Sequence, residues 1–306
     1  MTAAHAAGSA QHSGLALAAL LAGAAAIAFA PIFVRLSDAS PTASAFWRVA
    51  LAMLPLWLWV AASPRAAAQA AAPLPWNSLI IAGLCFAGDL AAWHVSIMYT
   101  TVANSTLEAN FAPIFVTLGA WLLFRQRVSR LFVLALAVTL GGAALLIGPN
   151  FAAFSGHDAG TAAAGRALLG DALGILTALF YAGYMLALKS ATESTRTARI
   201  MAISTSVAAL ALLPYAWLTA DVFLPQSGGG WLVLVGLALV PHVAGQSLIA
   251  YGFARLPAAF SSVSLLLQPV LAALYAWVLL GEGMGPVQMA GGLIVLAGIY
   301  LAKRGS

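Results

Sequence analysis

Charge is the scarcest thing in these 306 residues: Lys, Arg, Asp and Glu together make up 7% of the chain, against 63% hydrophobic residues. A soluble domain carries about a quarter charged residues, so a water-facing surface cannot be assembled from this composition. Cysteine is nearly missing as well. Cys85 stands alone, which excludes an internal disulfide and makes a cysteine-based metal site untenable. The chain has no Walker A segment, no HExxH, no GxSxG and no cluster of metal ligands, so the sequence assigns no catalytic residue, no metal and no cofactor. The 13 basic residues are dispersed at the ends of apolar runs, which argues against nucleic acid as a partner despite a pI near 9.7. None precedes the first apolar run, which is too long for the core of a signal peptide.

What the chain does have is apolar length. About ten runs of roughly 20 to 25 residues are each long enough to cross about 30 Å of hydrocarbon as a helix. Their approximate bounds are 14–36, 42–62, 76–99, 102–124, 129–149, 168–190, 197–219, 231–255, 257–280 and 285–302. Continuous Ala- and Leu-rich runs exclude the alternating strands of a membrane barrel. The fold class expected is an all-α membrane protein with ten transmembrane helices.

Basic residues between spans set orientation, because short basic loops stay cytoplasmic. With the N-terminus inside, Arg65, Arg125, Arg127, Arg130, Lys189, Arg196, Arg199, Arg255, Lys303 and Arg304 fall on the cytoplasmic side. Only Arg35 and Arg166 fall outside. Both termini are therefore expected in the cytoplasm.

The chain also repeats itself at a fixed offset of 156 residues, with Ser105 matching Ser261, Pro113 matching Pro269, Trp121 matching Trp277 and Gly142 matching Gly298. Five spans per half, an odd number, force the halves to enter the membrane in opposite senses. Such inverted repeats belong to transporters with a site near the midplane. The expected division is residues 14–149, a loop at 150–167, and residues 168–302.

The segment "YGFARLPAAFSSVSLLLQPVLAALYAWVLLGEGMGPVQMAGGLIVLAGIYL" (251–301), above all "LLGE" followed by "GGLIVLAG", resembles the EamA-type domain of the drug/metabolite transporter superfamily. The stretch "HVSIMYTTVANSTLEANFAPIFVTLGAWLLFRQRVSRLF" resembles its partner domain, so the likeness runs over about 14–302. The halves differ where the second has Gly281-Glu282 and the first Arg125-Gln126. The resemblance implies ten helices in two inverted repeats of five and export of metabolites, often amino acids, across a bacterial inner membrane.

An ionisable residue inside a span costs about 2.5 to 3.5 kcal/mol at the bilayer centre, so each is a candidate site residue. The candidates are Arg48, Asp89, His94, Glu108 and His242, with Asn110, Gln246 and Gln268 uncharged. On a continuous helix Asn104, Glu108 and Phe115 share a face, with Thr106, Asn110, Pro113 and Thr117 roughly opposite, so the fourth span is expected at the centre of the bundle. Pro113 and Pro269 break their helices at mid-membrane, where freed carbonyls must face protein or a wet cavity. Glu108 and Arg48 read equally as a buried ion pair or as a gate and ligand for charged ends of a substrate. Asp89, with no evident basic partner, is the candidate for a coupling proton or a hydrogen-bonded structural acid. Trp47, Tyr181 and Tyr184 suit a pocket or simple packing, while Gly170, Gly174, Gly291, Gly292 and Gly298 suit close helix contact. The leading reading is a secondary transporter of a small molecule in the inner membrane, without enzymatic activity. A membrane enzyme acting on a lipid is the alternative, and a homodimer is left open.

Overall fold

A computed structural model describes residues 2–63, 74–99, 108–152, 161–192, 194–281 and 283–305, with side chains described outside 2–12, 94, 97, 98, 147–152 and 161–167. All regular elements among them are helical: α1 (Thr2–Ile27), α2 (Ala30–Leu36), α3 (Pro41–Ala62), α4 (Trp76–Tyr99), α5 (Ala112–Phe124), α6 (Arg130–Ala152) and α7 (Thr161–Thr192). They continue with α8 (Thr197–Thr219), α9 (Gly228–Leu237), a π-helical segment (Ala238–Gln246), α10 (Ser247–Arg255), α11 (Ala258–Ser264), α12 (Leu267–Leu280) and α13 (Pro286–Gly305). Among the described residues, eight stretches are long and apolar enough to span a membrane, and two shorter apolar helices, Ala112–Phe124 and Arg130–Leu146, lie where the fourth and fifth spans are expected. The chain is thus a multi-pass membrane protein.

Proline shapes several of these helices. Pro31, Pro41 and Pro113 sit in the first turns of α2, α3 and α5, where the missing N–H has no helical partner to lose. The first span is interrupted at Ala28–Phe29, and the ninth at Leu265–Leu266 just ahead of Pro269. Pro241 lies within the π-helical segment, whose wider turn absorbs the lost hydrogen bond. The two pieces of the ninth span differ sharply: every residue of α11 is buried and none of α12 is.

Four helix pairings dominate: α6 with α13, α4 with α7, α3 with α8, and α1 with α10 and the π-helical segment. The first is a backbone contact. A Cβ on Gly142 would meet the Val295 nitrogen at 2.7 Å, and one on Gly298 would meet the Thr139 nitrogen at 2.9 Å. The two contacts exchange under the 156-residue offset, since Gly142 corresponds to Gly298 and Thr139 to Val295. The ends of α5 and α12 obey the same offset: Arg125 (φ 53) and Gly281 (φ 69) are both left-handed caps, donating to Ala120 and Ala276 respectively. The Arg125/Gly281 difference between the halves is therefore a difference of residue at one shared conformation.

The continuous wheel expected for 102–124 does not hold. The chain turns at Asn110–Phe111 before α5 starts, with Phe111 N donating to the Glu108 carbonyl at 3.0 Å. Glu108 therefore keeps no helical phase with Phe115. Asn104 and Thr106 lie outside the described residues.

Candidate functional site

Three elements each bring a pair of side chains to one place. Phe86 and Asp89 share a face of α4, as do Tyr181 and Tyr184 of α7, because residues three apart on a helix are neighbours. His242 and Gln246 project from the π-helical segment. Arg48 enters from α3, 9% exposed, with its guanidinium carbon 5.8 Å from the centre of the Phe86 ring. That ring also packs 4.9 Å from Tyr184 and 5.3 Å from His242. The electrostatic partners of Arg48 are Asp89, Tyr181 and Tyr184.

The cluster is bonded in part. The Tyr184 hydroxyl donates to Gln246 Oε1 at 3.2 Å, and Thr205 Oγ1 of α8 lies 2.9 Å from His242 Nε2. Tyr181 turns its hydroxyl toward Gln268, on the first turn of α12. Three polar atoms of the cluster are buried with no hydrogen-bond partner among the described residues: Arg48 Nε, His242 Nδ1 and Gln268 Nε2. Native interiors rarely leave such groups unmet, and each costs about 1–3 kcal/mol when unpaired. Asp89, Tyr181 and Gln268 retain partial accessibility whereas Arg48, Tyr184, His242 and Gln246 are buried.

Glu108 is elsewhere. It lies beside Asp171 of α7 and is absent from the charges acting on Arg48, so the expected Arg48–Glu108 facing is corrected: Arg48 faces Asp89, and Asp89 has the basic neighbour the sequence did not reveal. The break at Asn110–Phe111 is the physical reason. The Glu108 carboxylate occupies the space a Cβ on Gly174 would need, so Gly174 seats a side chain rather than a helix. Gly170 faces α4, its carbonyl accepting from Ser96 Oγ at 2.8 Å.

Trp47 turns away from the cluster. Its Nε1 donates to the Phe223 carbonyl at 2.8 Å, and its ring packs on Phe46, Phe223 and Trp231. Asn110 lies in the turn before α5, Pro113 at that helix's start, and Pro269 on the first turn of α12. The His94 side chain lies outside the described residues. Phe86, Thr205 and Asp171 were not among the sequence candidates. Asp171 carried the signal, an acid inside an apolar run; Phe86 and Thr205 carried none, being ordinary residues in such runs.

Residues 168–304 match the EamA-like transporter family. The second half of the chain is thus similar to an EamA-like transporter domain. Across its length the chain is 25% identical over 290 residues to the pseudopaline exporter CntI of Pseudomonas aeruginosa, covering 93% of this chain and 95% of that one. It is 28% identical over 232 residues to a probable terminal-alkyne amino-acid exporter of Streptantibioticus cattleyicolor, with 74% of each covered. A solved crystal structure superimposes with a TM-score of 0.77 at 18% identity, over 96% of this chain and 98% of that one, a likeness of fold.

Proposed function

We propose that this chain is an EamA-type secondary exporter of the inner membrane that moves a small amphoteric metabolite, such as an amino acid or a related compound, by alternating access. The observation that carries the reading is the central cluster, where the Arg48 guanidinium and the Asp89 carboxylate stand together and Arg48 Nε, His242 Nδ1 and Gln268 Nε2 are buried with no hydrogen-bond partner among the described residues. A substrate bearing both a carboxylate and an ammonium supplies what is missing. Arg48 and the Gln268 amide take its carboxylate, Asp89 takes its ammonium or a coupling proton, and Tyr181 and Phe86 define its apolar wall. The name of the Streptantibioticus cattleyicolor relative, a probable terminal-alkyne amino-acid exporter, agrees with such cargo.

Alternating access requires two halves that rock about a site between them. The exchange of Gly142–Val295 with Gly298–Thr139, and the paired left-handed caps at Arg125 and Gly281, support ten helices in two inverted repeats, 14–149 and 168–302, with both termini cytoplasmic. Purified protein in liposomes is expected to move at least one member of an amino-acid and amino-acid-analogue panel. Failure across the panel, with and without a proton gradient, sinks the reading.

A further inference from the structure

The loops at 37–40 and 220–227 are joined by a dense set of bonds. Asp38 Oδ2 accepts from Ser227 Oγ at 2.8 Å and from Ser227 N at 3.1 Å. Ser227 Oγ in turn accepts from Gly230 N at 2.8 Å, capping α9. Ser40 N donates to the Val222 carbonyl at 3.0 Å, and Val222 N donates back to Ser40 Oγ at 2.8 Å. The Trp47 bond to Phe223 completes the set.

Behind these loops lies "GGG" (228–230). The three glycines are not equivalent. A Cβ on Gly228 meets nothing within 4 Å and one on Gly229 meets only Ser227 Oγ at 3.6 Å, whereas one on Gly230 would overlap the Asp38 carboxylate. Gly230 alone is the seat for Asp38. Neither loop carries Lys or Arg, which places both on the outer side under the orientation read from charge.

We infer that the Asp38–Ser227–Gly230 contact is a clasp that seals the outer end of the bundle over the central cluster and parts each time the site opens outward. The chain provides a short link between them: Trp47, bonded to the clasped loop, is followed at once by Arg48, whose side chain enters the cluster. Events at Arg48 thus reach the clasp through one peptide unit of α3. The first span is already interrupted at Ala28–Phe29, which leaves α2 a seven-residue piece held against α9, with Phe33 against Gly236. The clasp holds the far end of that piece.

The inference rests on the transport reading for its purpose, but its test does not need a substrate. In a Cys85→Ala background, Tyr181→Cys supplies a single thiol in the cluster, and its reaction with a membrane-impermeant maleimide applied from the outer side measures opening. Asp38→Ala, Asp38→Asn and Gly230→Ala are each expected to speed labelling several-fold, while Gly228→Ala labels at the parental rate. Parental rates for the Asp38 variants overturn the clasp even if Gly230→Ala fails to fold. Equal effects of Gly228→Ala and Gly230→Ala overturn the assignment of the seat. Absence of transport in liposomes, by contrast, would strike only the proposed function.

Discussion

Gly291 and Gly174 look alike in the sequence, each a small residue in an apolar helix, and they do opposite things. Gly291 lets α13 approach the backbone of α6 so closely that a Cβ would meet Leu146 N at 2.5 Å and Gly142 O at 2.7 Å. Gly174 instead receives the Glu108 carboxylate, whose atoms are the nearest to its Cβ position. One glycine shortens the distance between two helices and so fixes them, whereas the other makes room for a polar group that the hydrocarbon would reject. Small residues at membrane helix interfaces therefore cannot be given one role by pattern alone.

The comparison is broken first at the seam. Gly291→Leu forces α6 and α13 apart, and because overpacking a fitted contact costs about 1–3 kcal/mol or more, the purified protein should lose thermal stability and yield. Gly141→Ala is the control, as nothing lies within 4 Å of its Cβ position. Next comes the cluster. Arg48→Gln leaves the outline of the side chain but removes a charged donor worth about 1.5–3 kcal/mol, so transport should fall roughly tenfold or more with unchanged membrane insertion. Gly174→Ala should act between these, expelling Glu108 from its seat; reduced transport with near-normal melting separates it from Gly291→Leu, and a melting loss equal to the seam variant's would erase the distinction. The smallest effect is at the caps. A side chain in the left-handed region costs about 1–2 kcal/mol, partly offset by the backbone entropy of glycine at roughly 0.5–1 kcal/mol. Arg125→Gly should therefore raise the melting temperature slightly, and Gly281→Arg should lower it.

The membrane-spanning helices were legible because each is written in some twenty residues at once, and proline marked where the fourth and ninth break; the interruption of the first at Ala28–Phe29 was not read from the sequence. The offset was legible in Pro113/Pro269 and Trp121/Trp277, and it recurs in caps and seam contacts that pattern could not supply. The cluster was legible only in its members. Which acid Arg48 faces depends on how α3, α4 and α7 are rotated about their axes, and a helical wheel drawn across Asn110–Phe111 carried a phase that the chain abandons there. For Trp47, which the sequence left open between pocket and packing, the structure shows packing on Phe46, Phe223 and Trp231: consecutive residues on a helix point about 100° apart, so Trp47 and Arg48 serve different neighbourhoods.

The contrast within the ninth span has a consequence for how the sequence can change over time. α11, closed in by protein on every side, holds Ala258, Ala259, Ser261, Ser262 and Ser264, and a larger residue at any of these must displace a neighbour. α12 holds Leu274, Trp277, Val278 and Leu279 out toward the bilayer, where the surroundings are fluid and accept any apolar shape. Within one membrane crossing, then, residues before Leu265 are constrained by fit and those after Pro269 only by solubility in lipid. Homologous chains should drift freely among Leu, Val, Ile and Phe after Pro269 while staying small before it.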